Sequence, residues 1–90
     1  MIYSVLLASC GNPDHGQSPY EPLFGVPTER VYTASIEECQ RRVIAYIEEN
    51  NLGAGNWAGG EVYDGLGNVI GHISYNGRFW PKEEKWNAKH

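Results

Sequence analysis

The sequence has few cysteines, few basic residues and no long apolar run. Its 90 residues include 2 Cys, and 7 Lys plus Arg stand against 11 Asp plus Glu, giving a formal net charge of -4. Two cysteines exclude a small scaffold held together by several disulfides. The shortage of basic residues argues against a protein that wraps nucleic acid. A membrane-spanning helix needs about 18 consecutive apolar residues, and no such window occurs.

The longest apolar run, Val-Leu-Leu-Ala at residues 5–8, is too short for the core of a signal peptide, and no basic residue precedes it. We therefore expect a cytoplasmic protein without membrane association. Hydrophobic residues make up 41% of the chain, which is enough for one small folded domain. That domain is expected over residues 1–81, including a long Pro/Gly-rich loop at 11–28, with a polar tail over 82–90.

One amphipathic helix is the clearest predicted element. Ser35 stands three residues before Glu38, the spacing of a capping box. An apolar stripe recurs every three or four residues at Ile36, Cys39, Val43, Tyr46 and Ile47. Gly53 is the predicted C-terminal cap. With strands on both sides of the helix, the order is β-loop-β-α-β-β-β. This order predicts an α+β fold, with one helix packed on a four- to five-stranded antiparallel sheet.

The last three strands are expected to be joined by two-residue turns at Leu66-Gly67 and Asn76-Gly77. Such turns predict the pairs Tyr63–Ile70, Glu61–His72, Ser74–Phe79 and Ile73–Trp80. Since side chains alternate across a sheet, one face collects Val62, Val69, Ile73, Tyr75 and Trp80. The other face collects Tyr63, Ile70, His72 and Phe79. Both faces are apolar, and a single helix can cover one of them.

Three arrangements would bury or use the second face. The Pro-rich loop and the tail can cover it, with Leu23, Phe24 and Trp86 as lids. A second copy of the chain can pair with it to form a homodimer, or a foreign partner can bind it. Exposed aromatic side chains are typical of protein interfaces. We therefore predict a partner-binding surface formed by Tyr63, Ile70, His72 and Phe79 together with Phe24.

Residues with the potential for catalysis occur just after the first strand. Cys10, Asp14 and His15 offer a thiol with a nearby base. The local signatures of cysteine enzymes and of an oxyanion hole are missing from the sequence. A buried cysteine and a solvated loop histidine account for the same residues, so no catalytic residue is predicted.

A Cys₂His₂ zinc site would have to use Cys10, His15, Cys39 and His72. Structural zinc sites usually contain a close pair of cysteines and a close pair of histidines, whereas the two cysteines here are 29 residues apart in sequence. A disulfide between Cys10 and Cys39 remains open, although two reduced thiols are expected in the cytoplasm. We therefore predict no metal and no other cofactor.

Two further features suggest ligands only weakly. The Gly-rich residues 53–60 follow a helix and precede a strand, whereas phosphate-binding loops run from strand to helix; a cap followed by a flexible or bulged connection is expected instead.

Basic residues cluster near the C-terminus at Arg78, Lys82, Lys85 and Lys89, close to the aromatic residues Tyr63, Phe79 and Trp80. These residues form a possible nucleic-acid surface, but the acidic chain makes that partner the weaker alternative.

Residues 29–80 resemble a known group of small proteins in their overall pattern. Thr33-Ala-Ser-Ile-Glu-Glu-Cys opens an amphipathic helix, and a Gly/Asn-rich hairpin ends in Ser74-Tyr-Asn-Gly-Arg-Phe-Trp80. This pattern is similar to that of phage and mobile-element proteins of the anti-CRISPR type, which are short, often acidic and without a catalytic motif. The resemblance implies inhibition of a bacterial defence complex by steric blocking. It transfers no functional residue.

Together these features predict a non-catalytic binding or inhibitory protein that acts by protein–protein contact. A metal-binding or cysteine-dependent enzyme and a nucleic-acid-binding module remain the alternatives.

Overall fold

The computed structural model describes residues 2–12, 16, 18, 21–23 and 25–82. Over these residues the predicted α+β architecture is confirmed, with one antiparallel sheet of five strands and one α-helix. The elements are β1 (Tyr3–Leu7), β2 (Glu29–Thr33), α1 (Ile36–Glu49), β3 (Glu61–Tyr63), β4 (Val69–Ile73) and β5 (Phe79–Pro81). The strand order in the sheet is β2-β1-β3-β4-β5.

The helix α1 begins where the capping-box spacing predicts. The Ser35 hydroxyl accepts a hydrogen bond from the backbone N–H of Glu38 at 3.1 Å. The Glu38 carboxylate in turn accepts one from the backbone N–H of Ala34 at 3.2 Å. The first bond satisfies a donor of the first turn that would otherwise lack a partner, and the second holds the residue just before the N-cap. The predicted apolar stripe is buried at Cys39, Val43, Tyr46 and Ile47.

The helix ends earlier than predicted, and Gly53 is not its cap. Asn51 has a φ of 53°, in the left-handed region. Leu52 then donates its backbone N–H to the carbonyl of Ile47 at 3.0 Å, which is the bond of a Schellman motif. Asparagine tolerates the left-handed conformation better than other residues with a side chain, so the chain turns before it reaches the glycine.

The core lies between α1 and the sheet. Helix α1 packs mainly against β1 and β2. From the Pro-rich loop, Leu23 and Val26 pack against the same core, and the backbone N–H of Leu23 is held by the Ser9 hydroxyl at 3.0 Å. The buried core side chains are Val5, Leu7, Val31, Cys39, Val43, Tyr46, Ile47, Leu52, Val62 and Ile73.

The last residues of the glycine-rich segment 53–60 are joined to the sheet by hydrogen bonds. Gly60 donates its backbone N–H to the carbonyl of Leu6 at 2.7 Å and accepts from the N–H of Ile73 at 2.8 Å. The indole N–H of Trp57 also donates to the carbonyl of Ile73, at 3.0 Å. Residues 57–60 therefore join β1 to β4 just before β3 begins.

Both hairpin turns contain three residues, so the predicted two-residue turns are wrong. Gly67 and Gly77 have φ values of 88° and 86°, as expected for a turn that closes with a left-handed residue. The closing backbone bond of the second hairpin runs from the N–H of Ser74 to the carbonyl of Arg78, at 3.0 Å. The same bond in the first hairpin joins Asp64 to Asn68 at 2.9 Å.

The extra turn residue changes the register between β4 and β5. Ile73 pairs with Phe79 and His72 pairs with Trp80, one residue away from the predicted pairing. Because a one-residue shift moves every side chain to the other face, Phe79 packs against the core and Trp80 lies on the opposite face, beside its partner His72.

Between β3 and β4 a bulge restores the predicted register away from the turn. Next to the turn Tyr63 pairs with Val69; the register then shifts between Tyr63 and Val62, and beyond this shift the predicted pair Glu61–His72 is confirmed. The predicted pair Tyr63–Ile70 is wrong, because the longer turn shifts the pairing until the bulge compensates. Ile70 consequently packs against the core.

Candidate functional site

The candidate site is the face of the sheet opposite α1, which we call the outer face. Its side chains alternate with the buried Val31, Val62 and Ile73 along their strands. The outer face includes Ser4, Arg30, Tyr32, Glu61, Tyr63, Val69, His72, Arg78 and Trp80.

The predicted contact residues are only partly brought together. Tyr63 and His72 lie on the outer face, as predicted. The expectation that Ile70 and Phe79 share this face is wrong, because both pack against the core. Phe24 lies outside the described residues, so its predicted contribution is not addressed by the structure.

One half of the outer face is organised around Arg30. Its guanidinium carbon lies 4.2 Å from the centre of the Tyr63 ring, and one guanidinium nitrogen donates to the Ser4 hydroxyl at 3.3 Å. The Tyr63 hydroxyl donates to the Glu61 carboxylate at 2.9 Å. A cation over an aromatic ring is attracted by the ring quadrupole, so these four side chains form one connected polar and aromatic group.

A second stack of the same kind lies toward β5. The guanidinium carbon of Arg78 is 3.9 Å from the Trp80 ring centre, and the indole N–H of Trp80 donates to the Ser74 hydroxyl at 3.4 Å. The two stacks hold two large rings and two guanidinium groups in place on the outer face.

Two open clefts run along this face. The first has a volume of about 280 Å³ and is lined by Glu61, Val69, Gly71, His72, Trp80 and Lys82. The second, of about 330 Å³, lies toward β2 and includes Arg30, Tyr32 and Tyr63 in its walls. Apolar surface framed by charged side chains suits the insertion of a partner's side chains.

The charge state of His72 is set by its position on the outer face. Burial lowers the pKa of the imidazole below its ordinary value of 6.5, while a backbone hydrogen bond at Gly59 and the charge of Glu61 act in the opposite direction. The net effect is that the folded protein favours the neutral imidazole more than the unfolded chain does.

This shift predicts a loss of stability on mild acidification. Because the pKa of His72 is lower in the folded state, the unfolded state binds more protons, and the free energy of unfolding falls as the pH drops through and below 6.5. Urea unfolding at pH 7.5, 6.5 and 5.5 measures this slope. His72→Gln is expected to flatten it relative to wild type, and equal slopes for the two proteins would contradict the assignment.

The proposed zinc ligands are not brought together among the described residues. Cys39 is fully buried in the core, whereas His72 lies on the other face of the sheet. Both Cys10 and Cys39 are free thiols, so the disulfide considered between them is not formed. His15 and Asp14 lie outside the described residues. Within the described part of the chain, no group of three His, Cys, Asp or Glu residues is placed to hold a metal.

Neither cysteine is placed as an activated nucleophile. The Cys39 sulfur lies 3.0 Å from the Thr33 hydroxyl, and burial raises the pKa of this thiol above its ordinary value. A raised pKa leaves less thiolate, the reactive form. The Cys10 thiol donates to the carbonyl of Gly55 at 3.4 Å, a contact that fastens the first strand to the 53–60 segment.

Of the four basic residues considered as a nucleic-acid surface, the structure describes two. Arg78 and Lys82 belong to the outer face or its cleft, and Lys85 and Lys89 lie outside the described residues. Arg30 is a further residue of this face, which the sequence patterns above do not predict. Its signal is the alternation in β2, where Arg30 and Tyr32 are exposed while Val31 and Thr33 are buried.

No family model, no curated protein and no solved structure matches this chain. Within the described residues, no helix has both the length and the apolar character needed to cross a bilayer.

Proposed function

We propose that this protein is a non-catalytic binding and inhibitory protein that acts by protein–protein contact through its outer face. The observation that carries the proposal is the pair of stacks, Arg30 on Tyr63 and Arg78 on Trp80, on a sheet face that α1 does not cover. Arginine, tyrosine and tryptophan are the residue types that dominate the binding energy of protein interfaces.

A protein partner suits these stacks better than a nucleic acid does. Binding of single strands relies on bases that stack on exposed aromatic rings. Here one face of each ring is already covered by a guanidinium group of the same chain. The formal net charge of -4 also opposes approach to a phosphate backbone.

The chemistry of the outer face defines the kind of protein surface that fits it. Lys82 and Glu61 line the first cleft and Arg30 lines the second. Arg78 is stacked on Trp80, which lines the first cleft. A partner with carboxylates around a protruding apolar side chain would fill a cleft and pair with the guanidinium edges, because planar guanidinium groups recognise carboxylates with two parallel hydrogen bonds.

We further propose that the partner belongs to a bacterial defence complex and that binding blocks it sterically. Support for this step comes from the pattern resemblance of residues 29–80 to proteins of the anti-CRISPR type.

A phage-plaquing assay tests the proposed function. The protein is expressed in bacterial strains with active CRISPR interference against a challenge phage, one strain for each effector type. We expect plaquing to be restored in at least one strain, and the affinity-tagged protein to retain the assembled effector of that strain. A folded protein that restores plaquing in none of them would contradict the inhibitor proposal. Oligonucleotide binding with steep salt dependence would instead favour the nucleic-acid alternative.

A further inference from the structure

The two edges of the sheet differ in their capacity to accept another strand. The β5 edge has three residues and ends in Pro81, which has no N–H to donate, with the cation Lys82 directly after it. Short length, proline and lysine are the usual means of blocking an edge. The β2 edge has five residues without proline, and no other strand of the described chain pairs with its free side.

We infer that a second copy of this chain pairs antiparallel with β2, around a twofold axis at Val31, to form one continuous ten-stranded sheet. This inference does not depend on the proposed function. The occupant follows from the sequence of β2 itself, Glu-Arg-Val-Tyr-Thr, because an edge that pairs with its own copy must be self-complementary in charge and in side-chain face.

The twofold axis at Val31 satisfies both conditions. Side chains directly opposite each other in a continuous sheet lie on the same face. With the axis at Val31, Arg30 of one copy lies opposite Tyr32 of the other on the outer face, and this pair occurs twice. On the core face, Glu29 lies opposite Thr33. No pair of like charges arises, and all five residues of each strand are paired.

Neighbouring registers are less favourable. An axis at Arg30 places two arginines directly opposite each other, and like charges in that position are destabilising. An axis at Tyr32 reduces the overlap of the two strands. An axis between two residues would place outer-face side chains opposite core-face side chains, which a continuous sheet does not allow.

The surface beside β2 adds apolar area to the contact. Tyr32 is 68% exposed and Ile2 is 61% exposed, and both line a cleft of about 320 Å³ at this edge. Arg30 covers the Tyr63 ring with one face of its guanidinium group. The second face of that planar group is the natural contact for Tyr32 of the other copy.

Sedimentation equilibrium over a range of protein concentrations tests the inference, with two variants of the exposed Tyr32. Wild type is expected to show a monomer–dimer equilibrium. Tyr32→Lys places a cation opposite Arg30 twice across the axis and is expected to weaken dimerisation by about tenfold or more. Tyr32→Glu places a carboxylate opposite Arg30 and is expected to retain the dimer. Circular dichroism confirms that both variants fold.

Hydrogen exchange at high and low protein concentration distinguishes the edge from other interfaces. Every second backbone amide of β2 points away from β1, and those amides are expected to become protected only in the dimer. A monomer at all concentrations would overturn the inference, as would a dimer that Tyr32→Lys leaves intact. Trp80→Ala, which removes a ring from the outer face away from β2, is expected to leave the dimer unchanged. Loss of the dimer in that variant would instead indicate pairing through the outer face.

Discussion

Gly60→Ala is expected to destabilise the fold by about 3 to 4 kcal/mol. Gly60 has a φ of 110°, which a residue with a side chain adopts only with strain. A Cβ atom at this position would lie 2.3 Å from the Ile73 carbonyl oxygen and 3.0 Å from Nε2 of His72. This oxygen belongs to the backbone and already accepts a hydrogen bond from the Trp57 indole. The centre of the sheet would therefore have to move to make room for the methyl group.

Gly67→Ala is the matched control for this prediction. Gly67 also has a positive φ, 88°, but a Cβ there would meet nothing within 4 Å. Its expected cost is the conformational part alone, about 1 to 2 kcal/mol. Urea unfolding followed by tryptophan fluorescence measures both variants. Small domains have about 5 to 15 kcal/mol of stability in total, so the Gly60 variant should unfold at much lower urea. Equal costs at the two positions would contradict the close packing described at Gly60.

Trp80→Ala is expected to weaken partner binding by about 2 kcal/mol, which is about 30-fold in the dissociation constant. The Trp80 ring lines the 280 Å³ cleft and carries the Arg78 guanidinium group on one face. Truncation removes the ring and releases the cation at the same time. Tyr63→Ala should act similarly, because it frees Arg30.

Leu66→Ala is the control that separates the outer face from exposed apolar surface in general. Leu66 is 89% exposed in the β3–β4 turn and lines neither of the two clefts of the outer face. Its removal should leave partner binding within about twofold of wild type. Surface plasmon resonance on the immobilised effector complex that we propose as the partner measures the dissociation constants. If Leu66→Ala and Trp80→Ala had the same effect, the outer face would not be the specific contact.

The helix and the order of the elements along the chain could be predicted because local signals determine them. The Ser35–Glu38 spacing marks the start of α1, and the three- and four-residue spacing of Cys39, Val43 and Ile47 identifies the buried side. Such patterns need no knowledge of the rest of the chain.

The register of the last hairpin could not be predicted in the same way. Asn76-Gly77 favours a two-residue turn by itself, yet Tyr75 joins the turn as a third residue. Its hydroxyl donates to the carbonyl of Leu52 at 3.0 Å, and Gln40 of the helix donates to the carbonyl of Gly77 at 2.9 Å. These contacts come from distant parts of the chain and favour a turn that packs against the helix side.

This one-residue shift in the pairing of β4 with β5 determines which aromatic side chain lies at the candidate site. The sequence predicts Phe79 on the outer face and Trp80 on the core face, and the structure reverses the two. Tyr63 and His72 lie on the predicted face because the Glu61–His72 pairing is retained beyond the bulge. The stack of Arg30 on Tyr63 joins strands that are far apart in sequence, so spacing alone carries little signal for it.

Hydrogen exchange of the protein, free and bound to the effector complex that we propose as its partner, tests the central claim most directly. The outer face is predicted to be the contact surface. The bound protein should therefore gain protection in β3, β4 and β5, around Tyr63, His72 and Trp80, while the exposed side of α1 exchanges as in the free protein. Protection confined to α1, with the strands of the outer face unchanged, would contradict the account.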